Sequence, residues 1–377
     1  MQIVPFASGK GGVGKSLLAC NLAVALGEAG KRVVLVDLDL GGSNLHLMLG
    51  MRSVRHGIGT FLSGSNLSFE DIVFPTDYQN VRFVPGDAEI PGLANLTAAQ
   101  KRMLVRRINK LDADFVLLDL GAGTSYNTLD FFLTSGNGIV VATPTPTAMV
   151  NAYLLLKNAV FRILTNSFKK KSKAGEYLKK QADSLQRIYI PTLLEKLKGI
   201  DPDGHQAFQE AFSRFTPRII LNMLEDPKDA DTAHRLRRSS KQYLSLDVEH
   251  LGVIYRDDLQ DIALGSGLPI LRYKPSAVLS QAVYRIADKL IQLNMEDAAP
   301  VEWESVDDSY EEAQMEAHTD FDNKVDYIED LLHSGALSQG DLVETIKNQQ
   351  IEIQHLRREN MLYKSKLVKA MRQGYEA

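Results

Sequence analysis

The chain has 377 residues, 44% of them hydrophobic, and a formal net charge of -4, proportions that suit one large soluble α/β domain of roughly 250 residues with an appendage. Its one cysteine, Cys20, excludes an intramolecular disulfide and any Cys-rich metal site, and fits a reducing compartment. The longest apolar runs are strand-sized and the amino terminus MQIVPFASGK has neither a basic leader nor an apolar leader core, so export and membrane spanning are not expected and a cytoplasmic location is.

Residues 2–7 (QIVPFA) and 33–37 (VVLVD) are short apolar runs bounded by glycines, and Leu17, Leu18, Asn21, Leu22, Ala25 and Leu26 recur between them with helical period. That pattern predicts a βαβ unit. Strand-like runs follow at 81–84, 115–119, 139–142, 219–222 and 248–254, separated by helix-periodic stretches. Near-continuous Val, Ile and Leu runs suit strands covered on both faces, so a mostly parallel sheet flanked by helices is expected, with its ligand at the carboxyl ends of the strands. From about 151 to 217 the βα rhythm gives way to helix-prone sequence with a basic cluster at Lys169, Lys170, Lys171 and Lys173, which reads as a helical insertion.

Residues 296–330 carry fourteen Asp or Glu against one Lys, whereas residues 1–295 carry 35 Lys or Arg against 28 Asp or Glu. Residues 1–295 are therefore expected to form the main domain, 296–319 an acidic linker, and 320–377 a helical, coiled-coil extension. Two helix-like segments are read there, 320–332 and 339–372. The second has a heptad register with Ile346, Ile353, Asn360 and Leu367 at one seam position and Leu342, Gln349, Leu356, Tyr363 and Ala370 at the other. Its cations, Arg357, Arg358, Lys364, Lys366, Lys369 and Arg372, interleave with Leu356, Met361, Leu362 and Leu367. Three readings of this helix stand side by side: a parallel two-stranded coiled coil, a membrane-surface or partner-binding helix, and a helix packed on its own body.

The segment ASGKGGVGKSLLACNLA follows a predicted strand and opens a predicted helix, the setting that a phosphate-binding loop requires. Gly9, Gly11, Gly12 and Gly14 let the backbone turn its N–H groups inward, and the helix that follows adds its positive amino end. The run Gly9, Gly11, Gly12, Val13, Gly14, Lys15, Ser16, Leu17 is thus the candidate nucleotide cradle. Lys15 is placed to reach the β and γ phosphates, and Ser16 offers a hydroxyl to Mg²⁺.

A further lysine in the loop, Lys10 at the head of KGGVGKS, makes residues 1–293 resemble the MinD, ParA and FlhG family of deviant Walker A ATPases. That resemblance implies an α/β P-loop NTPase of the SIMIBI type, with ATP and Mg²⁺ as cofactors. In such proteins the extra lysine reaches the nucleotide of a partner subunit, so it implies an ATP-dependent homodimer with Lys10, Lys15 and Asp39 as catalytic residues. VVLVDLDLGGSNL is similar to the family's switch I, where Asp39 would orient the attacking water and Asp37 would help hold the Mg²⁺ shell. DADFVLLDLGAG is similar to Walker B and switch II, with Asp119 acting on Mg²⁺ and Gly121 to Gly123 forming a mobile loop. The metal set implied is Ser16, Asp37 and Asp119. Asn222, at the end of RIILNM, resembles the adenine-reading residue, and Tyr255, Arg256 and Asp257 stand at the base-flanking loop. TPTPTAMVNAY (143–153) is similar to the loop after the fifth strand in flagellar-number and division-site members.

The leading expectation is an ATP-operated spatial switch of the MinD or FlhG type, cytoplasmic and peripheral at the inner face of the membrane. A protein partner is expected at the helical insertion or the C-terminal helix. The alternative is a ParA-like partitioning ATPase that uses the basic segments 101–110 and 235–241 on arbitrary DNA. A tyrosine kinase is disfavoured because only Tyr375 lies near the end, and a metal-delivery ATPase because paired cysteines are missing.

Overall fold

A computed structural model describes residues 1–86 apart from 43, 52 and 65, then 96–182, 189–296, 303–334 and scattered positions between 340 and 363. Its first unit, Met1–Phe321, is built on eight strands in the order β3-β4-β2-β5-β1-β6-β7-β8. The strands are β1 (Gln2–Ala7), β2 (Val33–Leu38), β3 (Phe74–Pro75), β4 (Val81–Val84), β5 (Phe115–Leu120), β6 (Ile139–Ala142), β7 (Arg218–Leu224) and β8 (Glu249–Tyr255). Every pairing is parallel except β3 with β4. β3 is the strand that the sequence pattern did not predict; at two residues it is too short to show a period.

Helices cover both faces. They are α1 (Lys15–Glu28), α2 (Leu45–Met48), α3 (Ile58–Leu62), α4 (Ala98–Ile108), α5 (Tyr126–Phe132), α6 (Pro146–Ser167), α7 (Lys173–Ala182), α8 (Ile190–Ile200), α9 (Pro202–Phe212), α10 (Asp231–Leu244), α11 (Leu259–Gly265), α12 (Ile270–Tyr273), α13 (Val278–Glu296) and α14 (Trp303–His333). Strand alternation divides the core: Val34, Val36, Val116 and Leu118 point to one apolar layer, and Val33, Leu35, Phe115 and Leu117 to the other. Buried on both sides, such strands have no polar face to display, which is why they read as unbroken apolar runs. Just past the end of α1, Gly30, at φ 81°, lets Lys31 donate back to the Leu26 carbonyl at 3.0 Å. α4 starts with a reciprocal cap between Thr97 and Gln100. The expected helical insertion is present as α6 to α9, and α6 begins five residues before the predicted boundary, at Pro146.

The expectation of an acidic linker over 296–319 is corrected. Residues 303–321 are helical and belong to the first unit. Val306, Tyr310, Ala313 and Ala317 form a buried stripe at helical spacing. The acidic residues on the flanks meet cations of the body: Asp320 lies 2.5 Å from Arg285, Glu316 lies 2.8 Å from Lys289, and Asp307 pairs with Arg237. β8 is an edge strand, and α14 supplies what a ninth strand would have supplied. The Ser309 hydroxyl accepts the His250 N–H at 3.1 Å and the Tyr310 hydroxyl donates to the Val248 carbonyl at 2.7 Å. Glu249, between them, donates instead to Pro217 on the β7 side, so the two groups that α14 satisfies are the ones facing outward.

His250 is buried beneath this helix, its ring 5.3 Å from that of Tyr310. Burial above all, then Lys289 and His234, lower its pKa to about 3. The unfolded chain therefore binds a proton near its ordinary value that the fold refuses. Stability from this site is fully present above the unfolded pKa and is lost as pH falls toward the folded one. Between about pH 7 and pH 4 the loss is on the order of 3 kcal/mol. Urea unfolding at the two pH values should show His250→Phe losing less stability than wild type by about this amount; equal losses would remove His250 as a source.

The second unit, residues 322–377, contains the end of α14 and then helical positions between 340 and 363. Of the expected heptad seam, Ile346, Ile353, Leu356 and Tyr363 are described and are exposed. Leu342, Gln349, Asn360, Leu367 and Ala370 lie outside the described residues, as do Leu362, Lys364, Lys366, Lys369 and Arg372.

Candidate nucleotide site

β1 runs into a loop at Ser8 and the loop runs into α1 at Lys15, as the glycine spacing predicts. Gly12 and Gly14 have φ of 77° and 81°, values that carry a steric penalty for any side chain. A Cβ placed on Gly11 or Gly12 meets nothing within 4 Å, so the loop opens onto free space. Lys10 is exposed on this loop. Lys15 turns the other way: it is 6% exposed, bonds the Asp119 carboxylate and lies 3.3 Å from the Ser16 hydroxyl.

Parallel register brings the carboxylates to this point. β2 and β5 pair Asp37 with Asp119, and β1 and β5 pair Phe6 with Asp119, so Asp119 stands beside the strand that feeds the loop and Asp37 one strand further out. Both are 1% exposed. The Asp37 carboxylate accepts the Asp39 N–H at 3.1 Å, and Asp39 faces Gly121, where a Cβ would lie 3.2 Å from its carboxylate. Burial pushes the Asp119 carboxyl up; Lys15 pulls it back and Asp39 adds to the rise. An acid so placed gains from a compact cation, and Ser16, Asp37 and Asp119 form the hard-oxygen set that Mg²⁺ prefers. Among the described residues no group of three His, Cys, Asp or Glu could hold a metal ion by itself.

Two contacts that the motifs did not reveal tie the loops together. Gly123, at φ 94°, donates to the Ser8 carbonyl at 2.8 Å, linking the loop after β5 to the phosphate loop. Gly9 packs on α6 so closely that a Cβ there would lie 2.1 Å from the Asn151 carbonyl oxygen. The segment 143–153 is singled out by its prolines, but this contact joins residues far apart in sequence and has no local signal.

The base-flanking residues divide. Asn222, 6% exposed, donates to the Val13 carbonyl at 2.9 Å and so sits against the cradle. Tyr255 is buried and its hydroxyl donates to the Ala317 carbonyl at 2.8 Å. Its hydroxyl is thus used to seat α14. Arg256 is exposed, 3.8 Å from Glu225, and Asp257 accepts the Leu259 N–H at 3.0 Å at the start of α11.

Gly14→Ala tests the cradle directly. The added methyl would meet the Asn222 amide nitrogen at 2.2 Å in a backbone conformation that L residues rarely adopt. Calorimetry with MgATP should show affinity lowered at least about tenfold; unchanged affinity would mean that this turn does not shape the site.

A glycine turn between a central parallel strand and a helix, with a buried lysine and two strand-end carboxylates, defines a P-loop nucleotide-binding protein. Residues 1–157 match the family model described as "ParA: NUBPL iron-transfer P-loop NTPase". The chain is 29% identical to the antiactivator FleN of Pseudomonas aeruginosa over 175 residues, 44% of this chain and 61% of that one. It is 28% identical to the putative septum site-determining protein MinD of Emiliania huxleyi over 256 residues, 65% of this chain and 91% of that one. The septum site-determining protein MinD of Pyrococcus horikoshii, solved with Mg-ADP, superposes with a TM-score of 0.54 at 23% identity over 79% of this chain and 98% of that one. The match thus spans less than two thirds of FleN and most of the Emiliania protein. Over residues 1–157 the chain is thus similar to ParA-type P-loop NTPases, and FleN and MinD proteins are among its relatives.

Proposed function

We propose that this protein binds and hydrolyses MgATP and that ATP brings two copies together as a spatial-regulation switch of the MinD or FlhG type. The observation that carries it is the convergence of Lys15, Ser16, Asp37, Asp39 and Asp119 on one loop that also displays Lys10 outward. Bound Mg²⁺ would neutralise charge on the transferred phosphoryl group. Ser16, Asp37 and Asp119 would hold it, Lys15 would leave its carboxylate partner for phosphate oxygens, and Asp39 would orient the attacking water. Lys10, exposed on the loop, would serve a neighbouring copy. FleN and MinD are named for antiactivation and septum placement, which supports a positioning role, read here as cytoplasmic and peripheral to the membrane. Among the described residues no helix is long and apolar enough to cross a membrane. The iron-transfer function named in the family model finds no counterpart, since the single cysteine, Cys20, is buried in α1.

Size-exclusion analysis tests this. Wild type is expected to shift to a dimer with MgATP but not with MgADP, and Asp39→Ala to stay dimeric for longer. If folded protein takes up no MgATP by calorimetry, or keeps one size in both nucleotides, the switch must be given up.

A second reading has its own observation. α4 exposes Arg102, Arg106 and Arg107, with Lys110 just beyond it, while Lys101 is tied to Asp130. ATP-dependent, salt-sensitive retention on arbitrary duplex DNA would favour a partitioning role, and ATP-dependent sedimentation with anionic vesicles the positioning role.

A further inference from the structure

The second unit keeps its apolar side chains in a single heptad frame. Val325 and Leu332 share one seam position with Ile346 and Ile353, and Ile328 shares the other with Leu356 and Tyr363. The frame therefore runs in phase from the end of α14 into the helical positions after 340. None of these side chains is buried, and Ile346, Leu356 and Tyr363 are 51%, 51% and 61% exposed, so the two stretches do not bury their stripes on each other. A helix that shows such a stripe to water gains by burying it on a surface of matching period. The charges beside the stripe say which surface. In this frame Lys324, Glu352 and Glu359 flank the seam on one side, and Glu329, Arg357 and Lys364 on the other. Each residue of the first set stands five positions before one of opposite sign in the second, the spacing at which two parallel copies meet. An antiparallel copy would set acid against acid and cation against cation over 352–364.

We propose that residues 322–370 pair in parallel with the same residues of a second copy of this chain. Polar or small residues interrupt the seam at Gly335, Gln339, Gln349 and Asn360, so the pair is weak by itself, and Asn360 matched to its counterpart fixes the register. An anionic bilayer fits less well, because four acids stand against one Lys over 322–334. The pairing itself needs no nucleotide; its use rests on the proposed ATP switch. Once ATP joins two copies through their nucleotide sites, the tails meet at a roughly millimolar effective concentration, and their pairing lengthens the life of the joined state.

The test uses the full chain, whose one native thiol, Cys20, is buried. Ile346→Cys and Tyr363→Cys are oxidised with copper phenanthroline in MgATP and in MgADP, and the size of wild type is followed alongside. Both are expected to give disulfide-linked pairs of chains, at least about tenfold faster in MgATP. Ile351→Cys and Arg358→Cys, at the outward position of the frame, are expected to stay unlinked. The two seam positions lie about 25 Å apart along a helix, and an antiparallel pair matches a residue to itself only at its midpoint, so a parallel pair alone links both. In the Ile346→Cys chain, Arg357→Glu should slow linking at least about threefold, and Glu352→Arg together with Arg357→Glu should restore it. Overturning results are no link at either seam position whatever the size of wild type, a link at only one of them, equal linking at the outward positions, or indifference to Arg357→Glu. Linking at both seam positions in a chain that keeps one size in both nucleotides would uphold the pairing and remove the switch, so the two failures are told apart.

Discussion

Replacing Lys10 with alanine is expected to lower ATP turnover at least about a hundredfold while changing the MgATP affinity of the isolated chain less than about threefold. The two lysines of the loop occupy opposite environments. Lys15 is 6% exposed and bonded to Asp119, so it belongs to the site of its own chain. Lys10 is exposed on the same loop and, in the proposed dimer, serves the phosphate that another copy presents. Lys15→Ala should behave differently. It removes the partner of a buried carboxylate, which costs about 3–5 kcal/mol when nothing replaces the charge, and it removes the phosphate contact as well. The decisive measurement is specific activity against protein concentration. For wild type it should rise, because an active pair forms by a second-order step; for Lys10→Ala it should stay low and flat. Full activity of Lys10→Ala across the range would show that the lysine has no partner to serve.

The P-loop and its carboxylates were legible because their chemistry is local. Four glycines within six residues report a turn, and an acid at the last position of an apolar run reports a strand end. Parallel register does the rest, since strands that start level finish level, which is how Asp37 and Asp119 come to pair across β2 and β5. What stayed hidden depends on residues distant in sequence. Nothing in the neighbourhood of Tyr255 says that its hydroxyl will be used by Ala317, and nothing near Gly9 predicts the Asn151 carbonyl. α14 misled for a different reason. Its apolar residues keep helical spacing, Val306, Tyr310, Ala313, Ala317 and Phe321, but alanines carry little hydrophobic signal and fourteen acids dominate residues 296–330. The cations that answer those acids, Arg237, Arg285 and Lys289, lie on α10 and α13, so the negative charge that suggested a solvated tether is part of the docking.

Truncation after Glu296 is accordingly expected to yield an aggregating or unfolded chain, whereas truncation after Ser334 leaves the first unit folded. The shorter chain loses the partners of the outward-facing Val248 carbonyl and His250 N–H and exposes the buried faces of Tyr255 and His250. An edge strand stripped in this way is a template for pairing with other chains. Tyr310 concentrates the effect. It is 1% exposed, its hydroxyl holds the Val248 carbonyl at 2.7 Å, and the Arg237 guanidinium lies 4.9 Å from its ring centre. Tyr310→Ala should cost about 3–5 kcal/mol, a large share of the stability of an ordinary domain. Tyr310→Phe, which keeps the ring and frees only the carbonyl, should cost about 1–2 kcal/mol. Urea unfolding of the full-length variants gives both values, and light scattering of the two truncations gives the rest. A monodisperse 1–296 fragment as stable as the whole would mean that β8 needs no cover and that the packing of α14 contributes little.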